Sequence, residues 1–195
     1  AMMRYATANN ENTLHLNVNG GSNKWAFRTA ATYSKFGDLR MGANGGEDSY
    51  ERNFFVERIN GSDSLMRSNN PYLQEQSGYE QMNFMQKVRF RPGKYFDITY
   101  GLHVSTTTDI PRYDRLIQFD NDDNIDDTLK YAEWYYGPQE WIMNNVQMKY
   151  ARGNTLFDQV KLTMAHQLFK ESRHKRKFNS ISKGEQFEKV NAYSV

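Results

Sequence analysis

Cysteine is absent from the 195 residues, which forbids disulfides, thiolate catalysis and thiolate zinc sites and leaves the compartment open. Long apolar runs are absent too. No stretch nears the roughly 18 consecutive apolar residues of a membrane-spanning helix, an exclusion that does not reach β-barrels, whose signal per strand is far weaker. An excess of charge of one sign is also missing. The 25 basic and 23 acidic residues leave a net +2, too little for the broad cationic field of a general nucleic-acid binder. Hydrophobic residues make up 38% and mean hydropathy is −0.88, low for a chain that must bury a large core. The opening Ala1, Met2, Met3, Arg4 lacks the basic, apolar and cleavage regions of a signal peptide. The closing Asn191 to Val195 breaks off inside an alternating run. Both ends therefore read as cut from a longer chain.

What the chain does have is alternation. In the run from Gly78 to Arg91, Met82, Phe84, Val88 and Phe90 share one face and Gln81, Asn83, Lys87 and Arg89 the other, with Gln86 the one polar residue on the apolar side. After the short link of Pro92, Gly93 and Lys94, the apolar Phe96, Ile98, Tyr100, Leu102 and Val104 oppose Asp97, Thr99, Gly101, His103 and Ser105. Period-two reading gives seven candidate strands, at about 12–19, 24–35, 79–91, 95–106, 139–151, 158–171 and 186–195. Short links rich in Gly, Asn and Pro alternate with long ones over about 36–78, 107–138 and 172–185. Strands near ten residues, one face apolar and the other wet, are about twice the usual globular length and suit a wall between lipid and an aqueous lumen. The expected fold is therefore all-β: an antiparallel transmembrane β-barrel segment of about seven long strands, with short periplasmic turns and long extracellular loops. A soluble carbohydrate-binding β-sandwich and a passive porin-like channel are the alternatives.

Particular segments carry a resemblance. These are TDIPRYDRL (Thr108 to Leu116), YAEWYYGPQEWI (Tyr131 to Ile142), LFDQVKLT (Leu156 to Thr163) and ESRHKRKF (Glu171 to Phe178), closing on EKVNAYSV. Upstream are KWAFRTAATYSKFGDLRMG (Lys24 to Gly42) and FVERINGSDSL (Phe55 to Leu65). Together they resemble the barrel domain of TonB-dependent outer-membrane receptors of the Bacteroidetes type. The resemblance implies a barrel of about 22 strands closed by an N-terminal plug, importing an iron chelate, haem, cobalamin or glycan with energy from a TonB complex. It makes residues 1–195 a fragment of such a barrel domain, without plug or TonB box, in the cell outer membrane. The implied partners are outer-membrane lipid, the rest of the receptor chain and the TonB complex. A surface lipoprotein is a further partner left open.

Candidate contacts follow from composition. Tyr131, Trp134, Tyr135, Tyr136 and Trp141 cluster where the second long link enters the fifth strand, as an aromatic girdle at the outer interface or as a stacking surface for ligand. Arg112, Arg115 and His103 are added as ligand contacts, with Arg112 to Asp114 and Arg115 to Asp120 expected to pair at the loop base. The basic run containing Arg173, Lys175 and Arg176, together with Trp141, is placed beside lipid or lipopolysaccharide phosphates. Asp120, Asn121, Asp122, Asp123, Asn124, Asp126 and Asp127 crowd oxygen ligands, yet the Gly and Glu of an EF-hand loop are missing, so no metal site is expected. No nucleophile with a neighbouring base appears in the sequence. Neither catalysis, a cofactor nor a nucleic-acid partner is expected.

Overall fold

The computed structural model describes residues 1–42, 44, 51–120 and 128–195. Its strands are β1 (Met2–Ala6), β2 (Glu11–Gly21), β3 (Trp25–Phe36), β4 (Leu39–Arg40), β5 (Phe54–Ile59), β6 (Ser62–Arg67), β7 (Leu73–Gln74), β8 (Tyr79–Phe90), β9 (Phe96–Thr107), β10 (Ile110–Pro111), β11 (Tyr131–Tyr136), β12 (Glu140–Tyr150), β13 (Val160–Lys177) and β14 (Lys183–Ser194). A single helical turn, α1 (Tyr113–Leu116), precedes β11. The seven expected strands are all present, as β2, β3, β8, β9, β12, β13 and β14. The count of about seven is corrected to fourteen, because seven shorter strands lie at the chain's start and inside the first two long connections.

The main antiparallel sheet runs β1-β2-β3-β8-β9-β12-β13. One edge of β13 pairs with β12 along Val160 to Lys170 and then with β11 along Arg173 to Lys177, while its other edge carries β14. Among the described residues the sheet is open: β1 and β14 have free edges and no closure into a barrel occurs. The third expected long connection shrinks to residues 178–182, because β13 continues through the basic run and ends at Lys177.

Registered partners share a face, and the registers align the apolar stripes into one surface. Leu16, Ala31, Phe84, Val104, Ile142 and Leu168 form one row across it, and Trp25, Phe90, Ile98, Met148 and Leu162 another. At the end bearing the long connections, this face meets its first charges in the pairs Lys35 with Glu80 (3.3 Å) and Lys170 with Glu140 (3.1 Å). At the short-turn end it closes on aromatics, Trp25 stacked on Phe90 at 4.2 Å and Tyr150 beside Phe96. Between those limits the apolar face of β2, β3, β8, β9, β12 and β13 holds no Asp, Glu, Lys or Arg. The opposite face is knit by polar contacts such as Thr13 to Ser34 (2.9 Å), Ser105 to Asn83 (2.8 Å) and Arg89 Nε to Asp97 (2.8 Å).

On β2 and β3 burial is inverted relative to a water-soluble sheet. On β2 the apolar Leu14, Leu16 and Val18 are exposed, while Thr13, His15 and Asn17 between them are half-buried. On β3 Trp25, Phe27 and Tyr33 are exposed, while Ala30 and Ser34 on the polar face are buried. Among the described residues, Ala30 is the sole buried apolar side chain of the seven long strands. A β-sandwich would set apolar stripe against apolar stripe; among the described residues no second sheet packs on the long strands.

Ordinary core packing is found instead above the sheet. At about 3.3 Å per residue the 18 residues of β13 extend about 60 Å, and the apolar row along it ends at Leu168, before Lys170 pairs with Glu140. The upper half of β13 therefore stands clear of the apolar face and supports a platform built from all three connections. The β5–β6 hairpin turns through Asn60 (φ 50°) and Gly61 (φ 84°), the left-handed pair a two-residue turn needs. Its Val56 packs with Leu129 and Ala132, against Phe54, Leu65, Phe119 and Phe178. Gly137 marks the joint between β11 and β12: at φ 122° a side chain is strained, and its Cβ would stand 3.0 Å from the Thr108 carbonyl oxygen.

Candidate functional site

The platform brings together most of the residues singled out by sequence. Trp134 and Tyr136 project from the same side of β11 and meet edge to face with centroids 5.2 Å apart. Two arginines flank them. Arg112 lies 5.0 Å from the Trp134 ring, and Arg173 lies 5.2 Å from the Tyr136 ring. Arg112 is fixed by a two-pronged pair with Asp114 (2.7 and 3.1 Å) and by donating Nη1 to the Tyr136 hydroxyl at 3.0 Å. That pairing matches the expectation; Arg115 instead turns to Asp114 at 3.7 Å and not to Asp120.

On the other side of β11, Tyr135 stacks on His174 at 4.7 Å and accepts from Lys183 Nζ at 2.8 Å. His174 Nε2 lies 2.9 Å from Ser172 Oγ, and Nδ1 lies 3.1 Å from Glu185. The order serine, histidine, carboxylate invites a nucleophilic reading, but Ser172 Oγ donates its proton to the Gly137 carbonyl. Its oxygen is left to accept from His174, the reverse of a base withdrawing that proton. The trio ties β14 and the β11–β12 joint to β13.

Arg176 is the hub of the platform. It is 5% exposed, giving Nη2 to Asp63 Oδ1 at 2.9 Å, Nε to Glu133 at 2.7 Å and Nη1 to the Ser180 carbonyl at 3.1 Å. Asp63 also accepts from the Asn179 amide at 2.8 Å and lies 3.5 Å from Arg58. The Arg176 hydrogen bond holds the Asp63 carboxyl below the usual range, outweighing the upward push of burial. At Glu133 burial pushes upward, and the bonds from Lys183 and Arg176 reverse it.

A carboxyl with a lowered folded pKa adds stability above its unfolded pKa, about 3.9 for Asp, and loses it as pH falls through the folded value. The platform is thus expected to hold its full stability at pH 5 and above and to loosen below about pH 4. Hydrogen exchange of the β5–β6 amides against pH checks this, and Asp63→Asn should flatten the dependence.

Other placements differ from the sequence reading. Arg176 is enclosed by its carboxylates and does not reach outward to phosphates; Arg173 and Lys175 are strand residues, not loop residues. Trp141 registers with Ser105 and Phe169 and gives Nε1 to Gln167 at 3.2 Å, which sets it on the polar face and not in a lipid-side girdle. His103 is opposite Met85 and Met143 within the sheet, its ring 6.3 Å from Trp141, and is not gathered into the platform. The acidic stretch lies, from Asn121 to Asp127, outside the described residues. Among the described residues, no cluster of His, Asp and Glu suited to a metal occurs.

Sequence reasoning missed Arg52, which is 1% exposed. It gives Nη2 to Gln76 at 3.1 Å and lies 5.3 Å from the Tyr113 ring, with Nε and Nη1 left without acceptors. Burial lowers the Arg52 pKa and pushes the Tyr113 hydroxyl up to about 12. Comparison of the chain with protein-family models, with curated proteins and with solved structures finds no match.

Proposed function

We propose that this chain forms part of the wall of an outer-membrane β-barrel receptor, with its long connections as the ligand-contacting surface and TonB-coupled uptake as its task. The observation that carries the membrane reading is the inverted burial: Leu14, Leu16, Val18, Trp25 and Phe27 face outward while Thr13, His15 and Ser34 are sheltered. Each such side chain left in water forgoes about 1.5 to 3 kcal/mol of transfer free energy, which hydrocarbon would recover. The charge-free extent supports the same reading. Phe96 to Val104 covers about nine residues, the length a tilted strand needs to cross. In this arrangement the remaining strands of a longer chain pair with the free edges of β1 and β14 and a plug fills the polar side. Uptake and TonB coupling rest on the family resemblance carried by the segments Thr108 to Leu116 and Tyr131 to Ile142.

The test uses the chain's three tryptophans, which the fold sends to three environments: Trp25 on the apolar face, Trp141 on the polar face and Trp134 in the platform. In single-tryptophan variants reconstituted into vesicles with brominated acyl chains, Trp25 fluorescence should be strongly quenched and that of Trp141 and Trp134 spared. Similar quenching of Trp25 and Trp141 would remove the membrane reading.

A further inference from the structure

Arg112 and Arg173 flank the same aromatic pair, yet they differ in one respect. Arg112 has its carboxylate in Asp114; Arg173 has none among the described residues, and its Nε is buried without an acceptor. A guanidinium keeps its charge under all ordinary conditions, so an N–H left unpaired there is a standing electrostatic deficit.

The surroundings deepen that deficit. Lys175, two residues along the same face of β13, also has no carboxylate partner among the described residues, and the nearest acid to Arg115 is Asp114, already held by Arg112. These three cations line one cavity of about 390 Å³, walled by Tyr131 and Trp134 and bordered by Gly184 of β14. The acid at its edge, Glu185, lies 3.1 Å from His174 on the far side of the sheet. The Lys175 chain lies against Gly184, where an added Cβ would stand in contact, 3.5 Å from the lysine Cγ and Cε. The volume lies at the small end of ligand sites and admits a single acidic sugar or a group of similar size.

We infer that this cavity binds an oxyanion, carboxylate or phosphate, carried by the ligand, with Arg173 as its principal partner, Lys175 and Arg115 as further charges, and the Trp134 and Tyr131 rings as the apolar wall. The inference rests on the receptor reading of the platform and adds the ligand's chemical class. The oxyanion stands to Arg173 as Asp114 stands to Arg112, taking a planar two-pronged donor that lysine could not reproduce. Neutral ligands of the same shape leave the three cations unmatched and bind weakly.

Calorimetric titration of the full chain in vesicles of zwitterionic lipid tests this, with galacturonate and glycerol 3-phosphate as anionic probes and galactose as the neutral one. At least one anionic probe should bind and galactose should not; which anion binds more tightly identifies the oxyanion. Arg173→Gln should weaken binding by roughly tenfold to a hundredfold, the loss of one charge-assisted hydrogen-bonded partner. Lys175→Gln should weaken it less, and Arg28→Gln on the lower polar face should leave it unchanged. Failure of both anions to bind, equal binding of galactose, or an unaffected Arg173→Gln would each overturn the inference. Brominated-lipid quenching of Trp25 in the same vesicles shows that the variants are folded and separates the two ideas. Lost binding with quenching intact removes the anion alone, whereas lost quenching with binding intact removes the membrane receptor alone.

Discussion

Val146→Arg is expected to cost about 2 to 4 kcal/mol of stability in a lipid bilayer, and Gln147→Arg, one residue further on, close to nothing. The difference comes from facing alone. Val146 registers with Tyr100 and Met164 in the middle of the charge-free surface, where an arginine would have to enter hydrocarbon or drag water to itself. Gln147 registers with Thr99 and Thr163 on the side that carries Lys149, Lys161 and Asp97, where another cation is solvated. Urea titration of the chain refolded into vesicles, followed by Trp25 emission, measures both. Equal losses would mean that the two faces see the same medium, and the lipid assignment would fall with that result.

Arg176→Met should cost about 3 to 5 kcal/mol, felt in the platform and not in the wall. Removing this guanidinium leaves Asp63, whose side chain is 1% exposed, as a buried carboxylate with only Arg58 at 3.5 Å and the Asn179 amide to answer it. Asp63→Asn is the milder break, since the amide can still accept. The double variant Asp63→Leu with Arg176→Met should recover much of the single loss, because the charge left alone does the damage. Protease cleavage within residues 54–67 reads the platform, and quenching of Trp25 reads the wall. Release of both together by Arg176→Met would show that the two are a single cooperative unit.

The long strands could be read from sequence because each of their faces meets one medium, so side-chain polarity repeats every second residue. That rule fails where the sheltered side is itself polar, as at the buried His174 and Arg176 between the exposed Lys175 and Lys177. From Arg173 to Lys177 all residues are charged or imidazole, no alternation survives, and a strand was expected to end where β13 in fact continues. The β5–β6 hairpin did leave a signal. Asn60 and Gly61 between FFVERI and SDSLMR form the strongest short-range hairpin signature, hidden within a long connection. The pairing of Arg112 with Asp114 was accessible because the partners are two residues apart. Asp63 and Arg176 lie 113 positions apart, and nothing local in either segment announces the other. Trp141 was assigned by composition among aromatics, whereas its registration with Ser105 decides its side.

β13 passes without a break from Val160 among the apolar rows to Lys177 beneath the hairpin. The platform and the apolar wall therefore share one continuous ribbon, with no interruption between them in that strand. A load applied at Arg173 would be carried by the same ribbon that holds Met164 and Leu162 in place.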